Sequence, residues 1–434
     1  MTDTTRLIAD LARLVAIPSI GALPEHAPDL EASAAAVADL LADAGCPDVR
    51  VVSGPYAPAV IGRWPAPAGQ PTVCLYCHHD VQALGDPGDW DTDPLTLTQV
   101  GDRLYGRGSA DDKGGIAVHV AALRAFGGRP PVGVTVFVEG EEEIGSPHSA
   151  ACLAEHADLL RADAYVVLDA GNWAVGVPAF TTTLRGVADV IVEVATLDHA
   201  LHSGQYGGVA PDALTALCHL LASFHSAEGD VVIAGIAGTE HFDVDYAAED
   251  MRAQAGLLDG VHELGTGSIA DRLWAKPSLT VIGLDTVSVA NSSNTLLPTA
   301  RARVSLRVPP GMTGAAALDA LVAHCETHAP WGAKVTVTRG SAGNPGQVPV
   351  TGPLVQAGLD AYEAAFGTRP VLMGQGGAIP LVEELTRAYP GADLLVTGIC
   401  DPDSRMHAPN ESVSLADLVR TVDAETRFLA AIAR

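Results

Sequence analysis

Lysine is almost missing from this chain. Of 434 residues only Lys113, Lys276 and Lys334 carry that side chain, and Lys plus Arg total 25 against 52 Asp plus Glu. The formal charge of −27 leaves no basic footprint for phosphate backbones or anionic headgroups, so no nucleic-acid and no membrane partner is expected. No apolar stretch reaches the roughly 18 uninterrupted residues of a transmembrane helix. Met1 to Ile20 lacks a basic n-region and is interrupted by Arg13 and Pro18, which argues against a secretory signal. The seven cysteines are scattered and odd in number, the pattern of reduced thiols in a cytoplasmic protein. Cys74 and Cys77 have CxxC spacing but sit in an apolar strand-like run, so buried, inert thiols are expected there. Also missing are a GxxxxGK[ST] P-loop, a GxSxG elbow, an HExxH helix and a GxGxxG turn after a strand, which removes several common enzyme classes.

What is present is a chain built for a large core, with 48% hydrophobic and only 18% charged residues. Helical apolar repeats run over Asp3–Val15 and Leu30–Ala44, and short β-branched runs over Val73–Tyr76, Val132–Val138 and Ala164–Leu168, with a helix predicted at Gly114–Phe126. This alternation predicts an α/β fold with a mainly parallel sheet flanked by helices. From about Val187 the pattern changes. Alternating strands are predicted at Val190–Val194 and Ala302–Val308, with helices at Pro211–Phe224 and Ala315–His328. That order suits an inserted α+β domain with an antiparallel sheet. The turn-rich Gly340–Gly346 returns the chain to α/β order, with a helix at Pro353–Phe366, a strand at Asp393–Val396 and a last helix near Leu415–Ala431. The expected division is a split catalytic domain, 1–186 and 344–434, around a lid and dimerisation domain at 187–343.

Five short segments stand where strands should end. They are Cys77-His78-His79-Asp80, Gly106 to Gly115 with its Asp111-Asp112 pair, Glu139-Gly-Glu-Glu-Glu143, Leu168-Asp169, and Met406-His407 to Glu411. Each has a bland alternative: a polar strand end, an N-cap, a solvated acidic loop, a turn aspartate, a surface histidine. Alternation along a strand puts His78 and Asp80 on one face. Clustered acids after an apolar strand repel one another unless cations stand nearby. The conjunction matters more than any member, because strand ends of one parallel sheet open into one crevice. Together the segments offer two histidines and three carboxylates, ligands suited to Zn²⁺ or Mn²⁺. A two-metal site of that kind generates hydroxide near neutral pH and polarises a carbonyl, the chemistry of amide hydrolysis.

These segments resemble the dinuclear metallohydrolases that include carnosine-type dipeptidases, aminoacylases, acetylornithine deacetylase and succinyl-diaminopimelate desuccinylase. The resemblance runs in the family's order over nearly the whole chain. It is carried by His78-x-Asp80-Val81, Asp89-Trp90, Leu104-Tyr-Gly-Arg-Gly-Ser-Ala-Asp-Asp-Lys-Gly114 and Glu139-Gly-Glu-Glu-Glu-Ile-Gly-Ser146. His202-Ser-Gly-Gln-Tyr-Gly-Gly208 resembles the lid segment of the carnosinase-like branch. The resemblance implies two divalent cations per subunit, Zn²⁺, with Mn²⁺ or Co²⁺ as alternatives. Asp111 would bridge them, His78 and Asp169 completing one site and Glu143 and His407 the other, with a cis peptide after Asp111. It further implies Glu142 as general base, Asp80 as the residue orienting His78, and His202 as oxyanion stabiliser, reaching into the partner's site of a homodimer. Asn294, Thr295, Arg307, Gly376 and Gly377 would bind substrate. The family's dipeptidases tend to carry aspartate where Asp169 stands, so a small peptide with a free carboxylate is the implied substrate. The alternatives are an N-acyl-amino-acid substrate, for a deacylase, a carboxypeptidase of the same family, or a non-catalytic binding homologue. One departure is that the carnosinase-like branch often has Glu-Gly-Gly-Ser where this chain has Gln375-Gly-Gly-Ala378.

Overall fold

The computed structural model describes residues 2–238, 240–377 and 379–433. It divides into two compact units, Met1–Thr182 with Val348–Met373 and Ile379–Arg434, and Thr183–Gln347 with Gly374–Ala378.

The first unit is built on strands β1 (Asp48–Val52), β2 (Ala59–Trp64), β3 (Thr72–His78), β4 (Gly133–Glu139) and β5 (Ala164–Val167), with Asp393–Val396 as the far edge. The sheet order is β1-β2-β4-β3-β5 followed by Asp393–Val396. Parallel pairing joins β4 to β3, β3 to β5 and β5 to Asp393–Val396, whereas β1–β2 and β2–β4 are antiparallel. The α/β architecture with a mainly parallel sheet is therefore present, and the antiparallel edge is an addition the sequence pattern did not announce. Its two strands are separated by Gly54, Pro55 and Pro58, which read as one long loop. β3 and β4 are buried on both faces, as a parallel strand between helical layers must be. Helices Thr4–Val15, Ala27–Asp43, Lys113–Ala125, Pro353–Phe366 and Leu415–Ala431 contribute buried residues to the core. From β3 the chain crosses to β4 on one side and then to β5 on the other. The carboxyl ends of these strands consequently flank a switch point, where open α/β sheets bind ligands.

The second unit holds a four-stranded antiparallel sheet of β6 (Gly186–Ala195), β7 (Ser278–Asp285), β8 (Thr299–Val308) and β9 (Lys334–Gly343), in the order β7-β8-β6-β9. Along β8, Ala300, Ala302, Val304, Leu306 and Val308 point inward by strict alternation. They share a core with Ala213, Leu217 and Leu220 of the helix Ala213–Ala222 and Leu318 and Leu321 of the helix Gly314–Thr327. Among the described residues no helix is long and apolar enough to cross a membrane.

Candidate metal centre

His78 is the last residue of β3 and fully buried. Its Nδ1 lies 3.0 Å from the backbone oxygen of Asp80 and 3.4 Å from that residue's carboxylate. A carbonyl only accepts, so Nδ1 carries the proton and Nε2 is turned to the site. There Nε2 meets Asp111 Oδ1 at 3.0 Å and Asp169 Oδ1 at 3.8 Å. The other oxygen of Asp111 lies 3.0 Å from His407 Nε2, which in turn is 3.2 Å from Glu143 Oε2. Asp111 thus divides its two oxygens between two triads, His78–Asp111–Asp169 and Asp111–Glu143–His407, each with ligand atoms within 4.8 Å of one another.

Long-range partners hold these groups in place. The loop bearing Asp111 wraps the buried carboxylate of Glu411, which accepts from the amides of Gly108, Ala110 and Asp111 at 3.0, 2.9 and 3.1 Å. Glu411 also takes Arg107 Nη1 at 2.7 Å, and the following peptide Asp111–Asp112 is cis. Gln82 fixes Glu143 through its backbone amide at 3.1 Å and its side-chain amide at 2.8 Å. Asp80 accepts from the amides of Glu142 and Glu143 at 3.2 and 3.0 Å, so it ties the acidic turn to the end of β3. His407 sits on a loop with three non-glycine residues in the left-handed region, at φ 52° for Arg405, 62° for His407 and 64° for Asn410. The roles of Gln82, Arg107 and Glu411 were missed by sequence reasoning. Arg107 and Glu411 lie within its motifs, but a pairing across three hundred residues leaves no local signal.

The acidic run resolves into four different environments. Glu139 accepts from Tyr76 at 2.8 Å, and Glu141 accepts from the backbone of Ala57 and His148 at 3.2 and 2.9 Å. Glu143 belongs to a triad. The carboxylate of Glu142 has no hydrogen-bond partner among the described residues, and burial with the charges of Asp111, Asp80 and Glu143 pushes it up to about 8. Burial and the charge of Glu142 raise Asp169 well above the carboxylate range, and its buried Oδ2 is unpartnered. Burial also works against ionised Asp111, yet the imidazoles of His78 and His407 hold it below its ordinary value. Hydrogen bonding of its Nε2 to the carboxylates of Asp111 and Glu143 raises His407 to about 10. Oxygen and imidazole donors without a thiolate, one of them an orphaned buried carboxylate oxygen, fit hard or borderline divalent cations.

The remaining expected site residues all lie in the second unit. His202 pairs with Thr295 in a two-residue antiparallel bridge, and Ser203 N donates to Asn294 O at 2.9 Å, so His202, Asn294 and Thr295 are brought together. Arg307 is on β8 opposite Val187 and Ser278, half-buried, its side chain without an ion pair or hydrogen bond among the described residues. A Cβ on Gly376 would meet Arg185 Nη2 at 2.8 Å, and one on Gly377 would meet only Gln375 Nε2, at 4.0 Å, among the described residues. Ala378 lies outside the described residues.

A family model for peptidase family M20/M25/M40 matches residues 74–431. The chain belongs to this family. It is 36% identical over 431 residues to the cysteinylglycine-S-conjugate dipeptidase of Corynebacterium striatum, covering 98% of this chain and 95% of that one. The human beta-Ala-His dipeptidase is 27% identical over 384 residues, covering 83% of this chain and 74% of its own. Among solved structures, human carnosine dipeptidase 1 superposes with a TM-score of 0.83 at 25% identity, covering 99% of this chain and 96% of that one. The dipeptidase Dug1p of Saccharomyces cerevisiae shares the fold, with a TM-score of 0.84 at 22% identity over 99% of this chain and 96% of its own.

Proposed function

We propose that this M20-family chain is a metal-dependent dipeptidase acting on dipeptides or small peptides with a free carboxylate. The observation that carries this reading is the unbonded carboxylate of Glu142 beside two triads that share Asp111. His78, Asp111 and Asp169 would hold one divalent cation, and Asp111, Glu143 and His407 the other. When bound, such a pair supplies Lewis-acid polarisation of the scissile carbonyl and an acidified water. Glu142, whose carboxylate is left free of hydrogen bonds among the described residues, takes the proton of the attacking water and delivers it to the departing amine. Asp80 acts by orientation, through His78 and through the amides of Glu142 and Glu143. In the second unit Arg307 anchors the substrate carboxylate, His202 stabilises the developing oxyanion, and Asn294, Thr295, Gly376 and Gly377 complete the substrate contacts. Zn²⁺ is the metal we favour, with Mn²⁺ and Co²⁺ as alternatives on the same donor set. Seven free cysteines suit a reducing, cytoplasmic setting.

A second reading, N-acyl-amino-acid deacylase, draws on Gln375, whose buried Oε1 has no donor and which carries no charge for a substrate ammonium. The deciding experiment loads chelated protein with Zn²⁺ or Mn²⁺ and compares free dipeptides with their N-acetylated counterparts. Release from the free set alone is expected; faster release from the acetylated set would make the enzyme a deacylase. Glu142→Ala should keep two metal ions per chain by elemental analysis while kcat falls about 10²–10⁴-fold. A wild-type rate in that variant would remove Glu142 from the mechanism.

A further inference from the structure

Arg185 stands at the entrance to β6 and is the one buried cation of the second unit among the described residues. In that unit Arg252, Lys276, Arg301, Arg303 and Arg339 are each paired with a carboxylate. Arg185 is not. Its side chain donates only to neutral oxygens: Nε to Gly376 O at 3.3 Å, and Nη1 to Lys276 O at 3.2 Å and Ser278 Oγ at 3.1 Å. Its backbone amide donates to Gln375 O at 3.2 Å. Burying a guanidinium with no counter-charge is costly, and carbonyl dipoles offset only part of that cost. The neighbour makes matters worse, because burial and the like charge of Arg307 pull Arg185 down to about 10. Ser278, which receives Nη1, is the register partner of Arg307 across β7 and β8. Two arginines without a carboxylate partner among the described residues therefore adjoin the same Ser278, in a chain carrying 52 acidic residues. Nη2 makes no hydrogen bond among the described residues and lies 2.8 Å from where a Cβ on Gly376 would stand, so a larger residue there would push the guanidinium aside.

We propose that Arg185 is a positioning residue for the substrate carboxylate. It holds the Gln375–Gly376 segment and Ser278 in register with Arg307 and supplies a second positive charge to the carboxylate anchor. The inference rests on Arg307 being that anchor, as proposed above.

The test uses metal-loaded enzyme, a free dipeptide and the same dipeptide as its C-terminal amide, with Arg185→Gln, Arg185→Lys and Arg307→Gln. Wild type should prefer the free acid, and Arg307→Gln should abolish that preference. Arg185→Gln should raise KM for the acid at least tenfold, change kcat less than threefold, and cut the acid-over-amide preference at least tenfold. Arg185→Lys, which keeps the charge but not the fork, should fall between the two; it decides the matter alone if Arg185→Gln does not fold. A parallel loss for acid and amide, with their ratio intact in both Arg185 variants, would make Arg185 structural and overturn the proposal. If the ratio instead survives in Arg307→Gln, the anchor reading fails first and this inference falls with it.

Discussion

Glu142 and Glu143 are neighbours in one acidic run, and their fates separate because of what surrounds each. Gln82 and His407 bind the Glu143 carboxylate, whereas nothing among the described residues binds the carboxylate of Glu142. The same logic makes Glu411 a strong target although no proposed chemistry passes through it. Its carboxylate is the counter-charge of Arg107, which is 2% exposed, and the acceptor for three loop amides ending at Asp111. Glu411→Gln removes that charge but keeps the shape, leaving a buried guanidinium uncompensated. The expected loss is about 3–5 kcal/mol in urea unfolding, with metal affinity weakened as the Asp111 loop loosens. A variant as stable as wild type would show that the ion pair is dispensable.

At the scale of elements, helices and central strands follow from local chemistry. Asp3 caps Thr4–Val15 by accepting from Arg6 N, and Ser414 caps Leu415–Ala431 by accepting from Asp417 N. The helix Gly314–Thr327 carries a further consequence. His324 is 4% exposed, stacked 3.8 Å from His328 and 4.9 Å from Phe224, with Nε2 2.9 Å from Ser223 Oγ and Nδ1 unpartnered. Burial and the charge of His328 lower it to about 4 from an ordinary value of 6.5. A histidine whose folded value is depressed keeps its full stabilising contribution above the unfolded value, near 6.5. That contribution is lost progressively as pH falls from there through about 4. His324→Phe should therefore lose less stability than wild type between pH 7.5 and 5 when urea midpoints are compared. Equal losses would exclude His324 as the acid-sensitive group.

For the whole molecule, the exposed edge of the second unit bears on assembly. β7 is an outer strand whose residues Val281, Ile282 and Leu284 are 41%, 56% and 48% exposed. An open apolar edge of this kind invites pairing with another chain. We expect a homodimer built on it, with the second unit as the dimerisation domain. Ile282→Lys should shift the sedimentation coefficient from dimer to monomer without lowering the melting temperature of the monomeric fold; a wild-type species that sediments as a monomer would refute the dimer. Cation binding acts on the first unit in the same global sense. Ligands that bind only the folded state add stability, about 2.7 kcal/mol at a hundredfold excess over Kd, so chelation should lower the melting temperature.

The sequence by itself determined the α/β class, the inserted antiparallel domain and the residues gathered at strand ends, because period-2 and period-3.6 patterns and short motifs are local properties. It did not announce β1 or β7, where exposure on both faces erases the alternation, or β2, a short run buried on both faces that has no alternation to show. Only the tertiary structure decided that Asp111 divides its oxygens between two triads and that Glu142 is the acid left unbonded. The hold of Glu411 on the Asp111 loop and the isolation of Arg185 from any carboxylate were likewise decided there. Each of these is set by partners tens to hundreds of residues away, and whether a charge is paired depends on the three-dimensional count of its neighbours.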